Sequence, residues 1–391
     1  MLDMMLIVAP LMMPLAPTQS DTLEFVSLAA GDEHTCGIAM TGKAFCWGSN
    51  QYGQIGDGRR TGPQGPYRYP TLVVGDHEFE SLALGLRFTC GLTDEGRALC
   101  WGHNFYGQIG DGTTSGEKFA PTPVKTNLTF VSIVAGHRHV CALTGDGGAY
   151  CWGDGRAGQL GDGRTWDRSR FATEPTRVVG GHAFTQLGMG LLGQRQNATA
   201  GDGLLGMCGF NQVGDVYCWG RGVFAYGDYH EVPTLVSESK ITGITGGPCT
   251  LFNERAWCVV ENPSPLVADS VWTPTAVIDG LTLFQMTGGT HHGCGLTAAG
   301  KAYCWGQTRF GQLGTGERAF REKGMQLFPG EVFGDHVFTQ IEAGGGHTCA
   351  LDVMGRAYCW GDNSQSQIGQ DRTAHRSLNV PTLIVGAPPS E

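Results

Sequence analysis

Lys43-Ala44-Phe45-Cys46-Trp47-Gly48-Ser49-Asn50-Gln51-Tyr52-Gly53-Gln54-Ile55-Gly56-Asp57-Gly58 is the stretch that decides the fold, because near-copies of it recur to the end of the chain. Its Cys-Trp-Gly core returns at Cys100-Trp101-Gly102, Cys151-Trp152-Gly153, Cys218-Trp219-Gly220, Cys304-Trp305-Gly306 and Cys359-Trp360-Gly361, with a degraded copy at Ala256-Trp257-Cys258. Self-similarity at roughly 40 to 67 residues is the signature of a propeller or solenoid. A repeat spread over all 391 residues predicts one closed body.

Each copy holds two cysteines, which together account for all 14: Cys36/Cys46, Cys90/Cys100, Cys141/Cys151, Cys208/Cys218, Cys249/Cys258, Cys294/Cys304 and Cys349/Cys359. Such even, local pairing reads as a disulfide set and implies an oxidising compartment: extracellular, cell surface or periplasmic. Zinc is the competing reading, but structural sites usually take cysteines roughly two to four residues apart. In six pairs a glycine stands six residues after the first Cys: Gly42, Gly96, Gly147, Gly214, Gly300 and Gly355. A three-residue hairpin loop needs glycine at its last, left-handed position. Placing that loop at Met40-Thr41-Gly42 sets Ala39 opposite Lys43, Ile38 opposite Ala44 and Cys36 opposite Cys46. Opposed residues of an antiparallel pair have Cα atoms ~4.5 to 5.5 Å apart, within disulfide reach.

The pleat then puts Phe45 and Trp47 on one side of the sheet and Ala44 and Cys46 on the other. Both sides are apolar, which suits a blade stacked between two others. The tryptophans are therefore expected as core between blades. Phe25, Phe79, Phe130 and Phe338 stand eleven residues before the first Cys of their copies, and Phe284 stands ten before Cys294. Phe184 lies 24 residues before Cys208, so 191–203 reads as an insertion. The fifth copy is the most eroded: it has no turn glycine and no Gly-Gln-Leu-Gly segment. Strand starts are expected at Pro70-Thr71, Pro123-Val124, Pro175-Thr176, Pro233-Thr234, Pro274-Thr275 and Pro381-Thr382.

Gly-x-x-His before a short strand, an aromatic-x-Trp-Gly strand and Asn-x-x-Gly-Gln-Leu/Ile-Gly-Asp-Gly together resemble the regulator-of-chromosome-condensation repeat. Asn50 to Gly58 and Asn104 to Gly112 carry that motif almost completely, and Gly158 to Gly163 and Gly311 to Gly316 carry it in part. The resemblance implies an all-β, seven-bladed β-propeller of four-stranded blades over residues 22–386. We expect closure by joining of the N- and C-terminal strands, after a leader or signal-like segment at 1–21 and before a tail at 387–391. One cysteine pair per blade is similar to secreted bacterial versions of the repeat.

The resemblance also offers a function: guanine nucleotide exchange on a small GTPase. A net charge of −10 and disulfide-locked cysteines fit that work poorly and predict no nucleic-acid partner. No nucleophile motif, Walker loop or dinucleotide fingerprint occurs, so neither an enzyme nor a cofactor is expected; a carbohydrate-active propeller enzyme would need axial carboxylates that the sequence does not supply. His34, His139, His292 and His347 recur two residues before a first Cys and read as structural hydrogen-bonders, with no metal. Asp57, Asp111 and Asp162 each offer one carboxylate, which suits turn chemistry better than calcium.

What varies between copies is the loop after the Gly-Gln segment, where cations and aromatics collect: Arg59, Arg60, Tyr67, Arg68 and Tyr69; Arg164, Trp166, Arg168, Arg170 and Phe171; Arg318, Arg321 and Lys323; Arg372 and Arg376. These define a candidate binding rim, interspersed with Asp167, Glu174, Glu317 and Glu322. We therefore expect a monomeric, exported binding or scaffold propeller that recognises a protein or surface glycan, without a membrane span.

Overall fold

The computed structural model describes residues 23–60, 66–164, 170–189, 206–221, 229–237, 241–244, 249–252, 255–258, 275–276, 281–290, 292–316 and 325–386. Of 229, 236, 237, 325, 327 and the four short segments from 241 to 276, only the backbone is described. The leader at 1–21, the insertion at 191–203 and the tail at 387–391 lie outside the described residues.

The first repeat sets the pattern. Strands β1 (Phe25–Ala30), β2 (His34–Ala39), β3 (Ala44–Gly48) and β4 (Tyr67–Leu72) pair in chain order, each antiparallel to the next. Gly42 closes the β2–β3 turn at φ +76°, its N–H donating to Ala39 O at 2.9 Å. That left-handed residue brings Cys36 opposite Cys46 and Ile38 opposite Ala44, the register that the turn predicts. Six disulfides follow from six such turns, with Cα separations of 4.0 to 4.1 Å, slightly below the expected range. Backbone register also sets Cys249 opposite Cys258, but their side chains lie outside the described residues.

The third residue of the triplet has a steric cause. Gly48 sits at φ +104°, and a Cβ there would lie 2.6 Å from Glu33 O and 2.8 Å from His34 Cα. Only glycine lets β3 cross β2 this closely.

Between blades the tryptophan carries the contact. Trp101 of the second repeat is fully buried in one cluster with the Cys36–Cys46 pair and Ile55 of the first. Its Nε1 donates to Gln54 O at 2.9 Å. The same step recurs from Trp152 to Gln108 O (3.0 Å), Trp219 to Gln159 O (3.1 Å), Trp360 to Gln312 O (2.9 Å) and Trp47 to Gln367 O (3.0 Å). Cys and Trp are neighbours in sequence because one face of each blade offers a disulfide and the opposite face an indole for the preceding blade's disulfide. Trp101→Phe removes only the Gln54 bond and part of the ring, and should cost roughly 1 to 3 kcal/mol by leaving a buried carbonyl short of a donor. Urea titration checks this, and an unchanged midpoint would refute the latch.

Seven equal blades are not what forms. Six four-stranded blades carry a described core or a disulfide each; the fifth repeat forms a sheet reduced to Ile241–Ile244, Cys249–Phe252, Arg255–Cys258 and a two-residue strand, Thr275–Ala276. We count six blades and this remnant. The physical reason is local: with no turn glycine after Cys249 and no Gly-Gln segment in the fourth or fifth repeat, neither hairpin nor latch is specified there.

Closure differs from expectation too. The N- and C-terminal strands do not share a sheet: β1 is the innermost strand of the first blade, and Ser377–Leu383 is the outermost of the last. Because every repeat starts on its inner strand, all four strands pair locally and none is left to exchange. The ring closes face to face instead. Gln340 Nε2 donates to Leu28 O (3.0 Å) while Leu28 N donates to Gln340 Oε1 (2.9 Å), and Phe25 N donates to Gly355 O (2.8 Å).

Two register marks shift as well. Leu283, eleven residues before Cys294, fills the position that Phe25 holds in the first repeat, and Phe284 is exposed. Pro70-Thr71 lies late in β4 rather than at its start, with Thr71 opposite Cys46, and Thr122 occupies that place in the second repeat. Outer edge strands tolerate proline because one side of the strand needs no ladder donor.

Candidate functional site: the loop-rich face

With the strands of each blade antiparallel in chain order, the β1–β2 and β3–β4 connections emerge at one end and the Gly42-type hairpins at the other. The rim residues therefore share a face with the loops that precede each β2. On the rim, Tyr67 Oη donates to Asp57 Oδ2 at 2.6 Å; burial, followed by Asp57, pushes this phenol up to about 12. Arg59 is exposed, its backbone N–H on Asp57 Oδ1 at 3.1 Å. Arg60 lies 3.9 Å from Glu117 of the next repeat. Arg68 reaches across the closure to Asp371 at 3.0 Å and stacks on Tyr69, 5.0 Å from its ring centre. Arg170 and Arg164 both pair with Asp162. Phe171 meets Tyr106 edge-on at 5.4 Å. Arg372 donates to Ser364 O at 3.5 Å, and the exposed Arg376 accepts from Asn363 N. Trp166, Arg168, Arg318, Arg321 and Lys323 lie outside the described residues. Much of the described rim charge is thus spent on neighbouring acids. Of the Gly-Asp-Gly aspartates Asp162 is one of those acids, and Asp111 ties its own loop: it accepts from Thr113 N and Oγ1 (3.0 and 2.7 Å) and pairs with Lys118 at 2.6 Å.

The recurrent histidines belong to the latch. Thr89 Oγ1 donates to Gln54 O at 2.9 Å, so its lone pair must accept the proton of His34 Nε2, 2.9 Å away. His292 with Thr348 and His347 with Thr35 repeat this, each Thr donating onto Gln312 or Gln367. Burial holds His34 and His347 down to about 3 and His139 to about 4. His139 faces a repeat with Met207 at the threonine position, and neither of its ring nitrogens has a hydrogen-bond partner. Where Phe88 replaces the histidine, Val140 replaces the threonine.

Sequence reasoning missed the densest cation–aromatic cluster. Arg87 lies 4.7 Å from the ring centre of Tyr52 and donates to its hydroxyl at 3.0 Å; Arg138 and Arg156 each lie 4.8 Å from Tyr106. His103 fills the gap, 5.0 Å from Tyr52 and 4.7 Å from the half-exposed Phe105, and is lowered to about 4 by burial and then by Arg87 and Arg138. Arg156 is paired with Asp154 at 2.6 Å, but among the described residues neither Arg87 nor Arg138 has a carboxylate within 4.0 Å. Both stand in Gly-x-Arg before β2-type strands, and each stacks on the Tyr-Gly-Gln tyrosine of the preceding repeat. That recurrence was the available signal.

Blades latched head to tail by an indole on a backbone carbonyl, with loops gathered on one face, define a repeat β-propeller. Residues 17–390 match the RCC1-like domain, and the chain belongs to that family. It is 26% identical over 382 residues to the Ultraviolet-B receptor UVR8 of Arabidopsis thaliana, covering 91% of this chain and 81% of the receptor. It is also 26% identical over 356 residues to the human Regulator of chromosome condensation, covering 90% and 76%. Among solved structures, Prp20p from Saccharomyces cerevisiae, described with its binding to Gsp1p and histones, superposes with a TM-score of 0.71 at 19% identity, over 92% of this chain and 87% of that one. The CRINKLY WD40 ectodomain of the Arabidopsis thaliana receptor kinase ACR4 gives a TM-score of 0.53 at 18% identity, over 93% and 98%. No helix among the described residues is long and apolar enough to cross a membrane.

Proposed function

We propose that this protein is an exported, non-catalytic binding propeller that docks an acidic protein surface on the sector formed by Arg87, Arg138, Tyr52 and Tyr106. The observation that carries the reading is that both guanidinium groups stack on aromatic faces and, among the described residues, neither has a carboxylate within 4.0 Å, Glu33 acting on Arg87 from farther off. Stacking fixes their direction while leaving their donors for a partner, and Arg beside Tyr is the composition of interface hot spots. Export rests on the disulfides, which cytosolic thiol buffers would not preserve. A fold like that of a receptor-kinase ectodomain is compatible with this location. The names of Prp20p and the human relative favour a regulator acting through bound proteins, and the buried disulfides weigh against an exchange factor among cytosolic GTPases.

Two measurements test the proposal. Fractionation of the source organism should find the native chain outside the cytosol. In pull-downs from that compartment, the double variant Arg87→Glu/Arg138→Glu should lose at least about tenfold of the partner retained by the wild type, and Arg164→Glu, on the paired rim, should retain it. Equal retention by both variants, or a cytosolic location, overturns the reading.

A further inference from the structure

A cleft of about 390 Å³ opens on the loop-rich face where the ring closes, lined by Ser49, Asn50, Gln51 and Arg60 of the first blade and Gln365 and Arg372 of the last. Its volume falls within the roughly 300 to 1,000 Å³ of small-molecule sites. Among the described residues the lining contains two arginines and no acid, on a chain of net charge −10. Both guanidiniums are loosely held: Arg60 is 3.9 Å from Glu117, and Arg372 makes only a long 3.5 Å bond to Ser364 O. At the floor, Ser49 is buried and its hydroxyl serves the neighbouring Glu33 carboxyl, which burial raises. Asn50 serves the walls: its amide is committed to Asp57, Arg59 O and Ile55 N.

We infer that this cleft binds an acidic saccharide of one or two rings, a uronic acid or its disaccharide. The arginines, one from each blade, would clamp the carboxylate, and the Gln51 and Gln365 carboxamides would meet ring hydroxyls. Among the described residues the lining holds no aromatic platform, so a neutral sugar finds nothing to stack on and the charged group must supply the affinity. A bare oxyanion would leave most of the volume empty. Its lining shares no residue with the protein-docking sector, and its test is independent of that reading.

Because the ligand would bridge first and last blades, it binds only the closed ring and must raise the melting temperature. With millimolar digalacturonate as probe, the full chain should melt several degrees higher and show saturable heat in calorimetry. Galactose should do neither. Arg60→Gln and Arg372→Gln should each weaken binding by at least about tenfold, while melting like the wild type without ligand; Arg164→Gln should bind normally. No binding of digalacturonate or glucuronate, the same shift from inorganic sulfate, or full affinity in both cleft variants would overturn the assignment.

Discussion

Reduced in urea and returned to buffer without an oxidant, the protein should fail to recover its β-sheet circular dichroism, whereas the oxidised chain treated in parallel should refold. Each disulfide closes a separation of 10 residues. On the chain-entropy account that stabilises each hairpin by about 2 to 3 kcal/mol. Six together reach roughly 12 to 18 kcal/mol, as large as the whole net stability of ordinary domains, about 5 to 15 kcal/mol. The loss extends beyond the hairpins, since each tryptophan that joins two blades packs on the preceding blade's cystine. All these sulfurs are almost wholly buried, so reductant alone at low temperature should act slowly, at the pace of opening. A fully reduced chain that regained native dichroism and melting would show that the cysteines are passengers.

Acidification supplies the second large effect. His34, His139 and His347 are neutral in the folded chain, held to about 3, about 4 and about 3 against an ordinary 6.5. The unfolded chain takes up protons below its own value while the folded chain does not, so stability is full above pH 6.5 and falls as pH drops from there toward the folded values. Each histidine contributes about 1.4 kcal/mol per pH unit in that window, so the three together should remove roughly 4 kcal/mol by about pH 5.5. His103, also lowered to about 4, adds to this loss, while Glu342, raised to about 7 by burial, binds a proton in the folded chain over the same window and offsets roughly 2 kcal/mol of it; carboxylates held low, such as Asp111, act only at more acidic pH. Urea titrations at about pH 7.5 and 5.5 measure the difference. His139→Phe, which copies the Phe88 solution of the second repeat, should remove about a third of the slope. Equal stability at both pH values would mean that the imidazoles are reached by water and never buried neutral.

How much of this was legible depended on how local each cause is. The hairpin register was readable because one residue, Gly42 or its counterpart, dictates it within a span of eleven residues. The burial of Trp47 on a second apolar face was readable from alternation alone. What Trp47 bonds to was not, since Gln367 lies 320 positions away and offers a backbone carbonyl, which leaves no trace in side-chain identity. Cys249 and Cys258 suggested an equal blade because the cysteine pattern survives there after the turn and latch residues are gone. Phe284 misled for a similar reason: aromatic character was weighed above position, and Leu283 holds the place. The Arg87 and Arg138 cluster was missed because its two halves come from successive repeats, whereas rim cations such as Arg68 and Arg170 drew notice by density yet are matched to nearby acids.

The tryptophan bonds also give the ring a direction and an order of rigidity. Followed in space they run without interruption from Gln312 to Trp360, Gln367 to Trp47, Gln54 to Trp101, Gln108 to Trp152 and Gln159 to Trp219. The described chain begins and ends inside that unbroken arc of six blades. The two ends of the described chain are therefore clasped by the same bond that joins blades everywhere else in the arc, and the docking sector and the closure cleft both ride on this latched part of the ring.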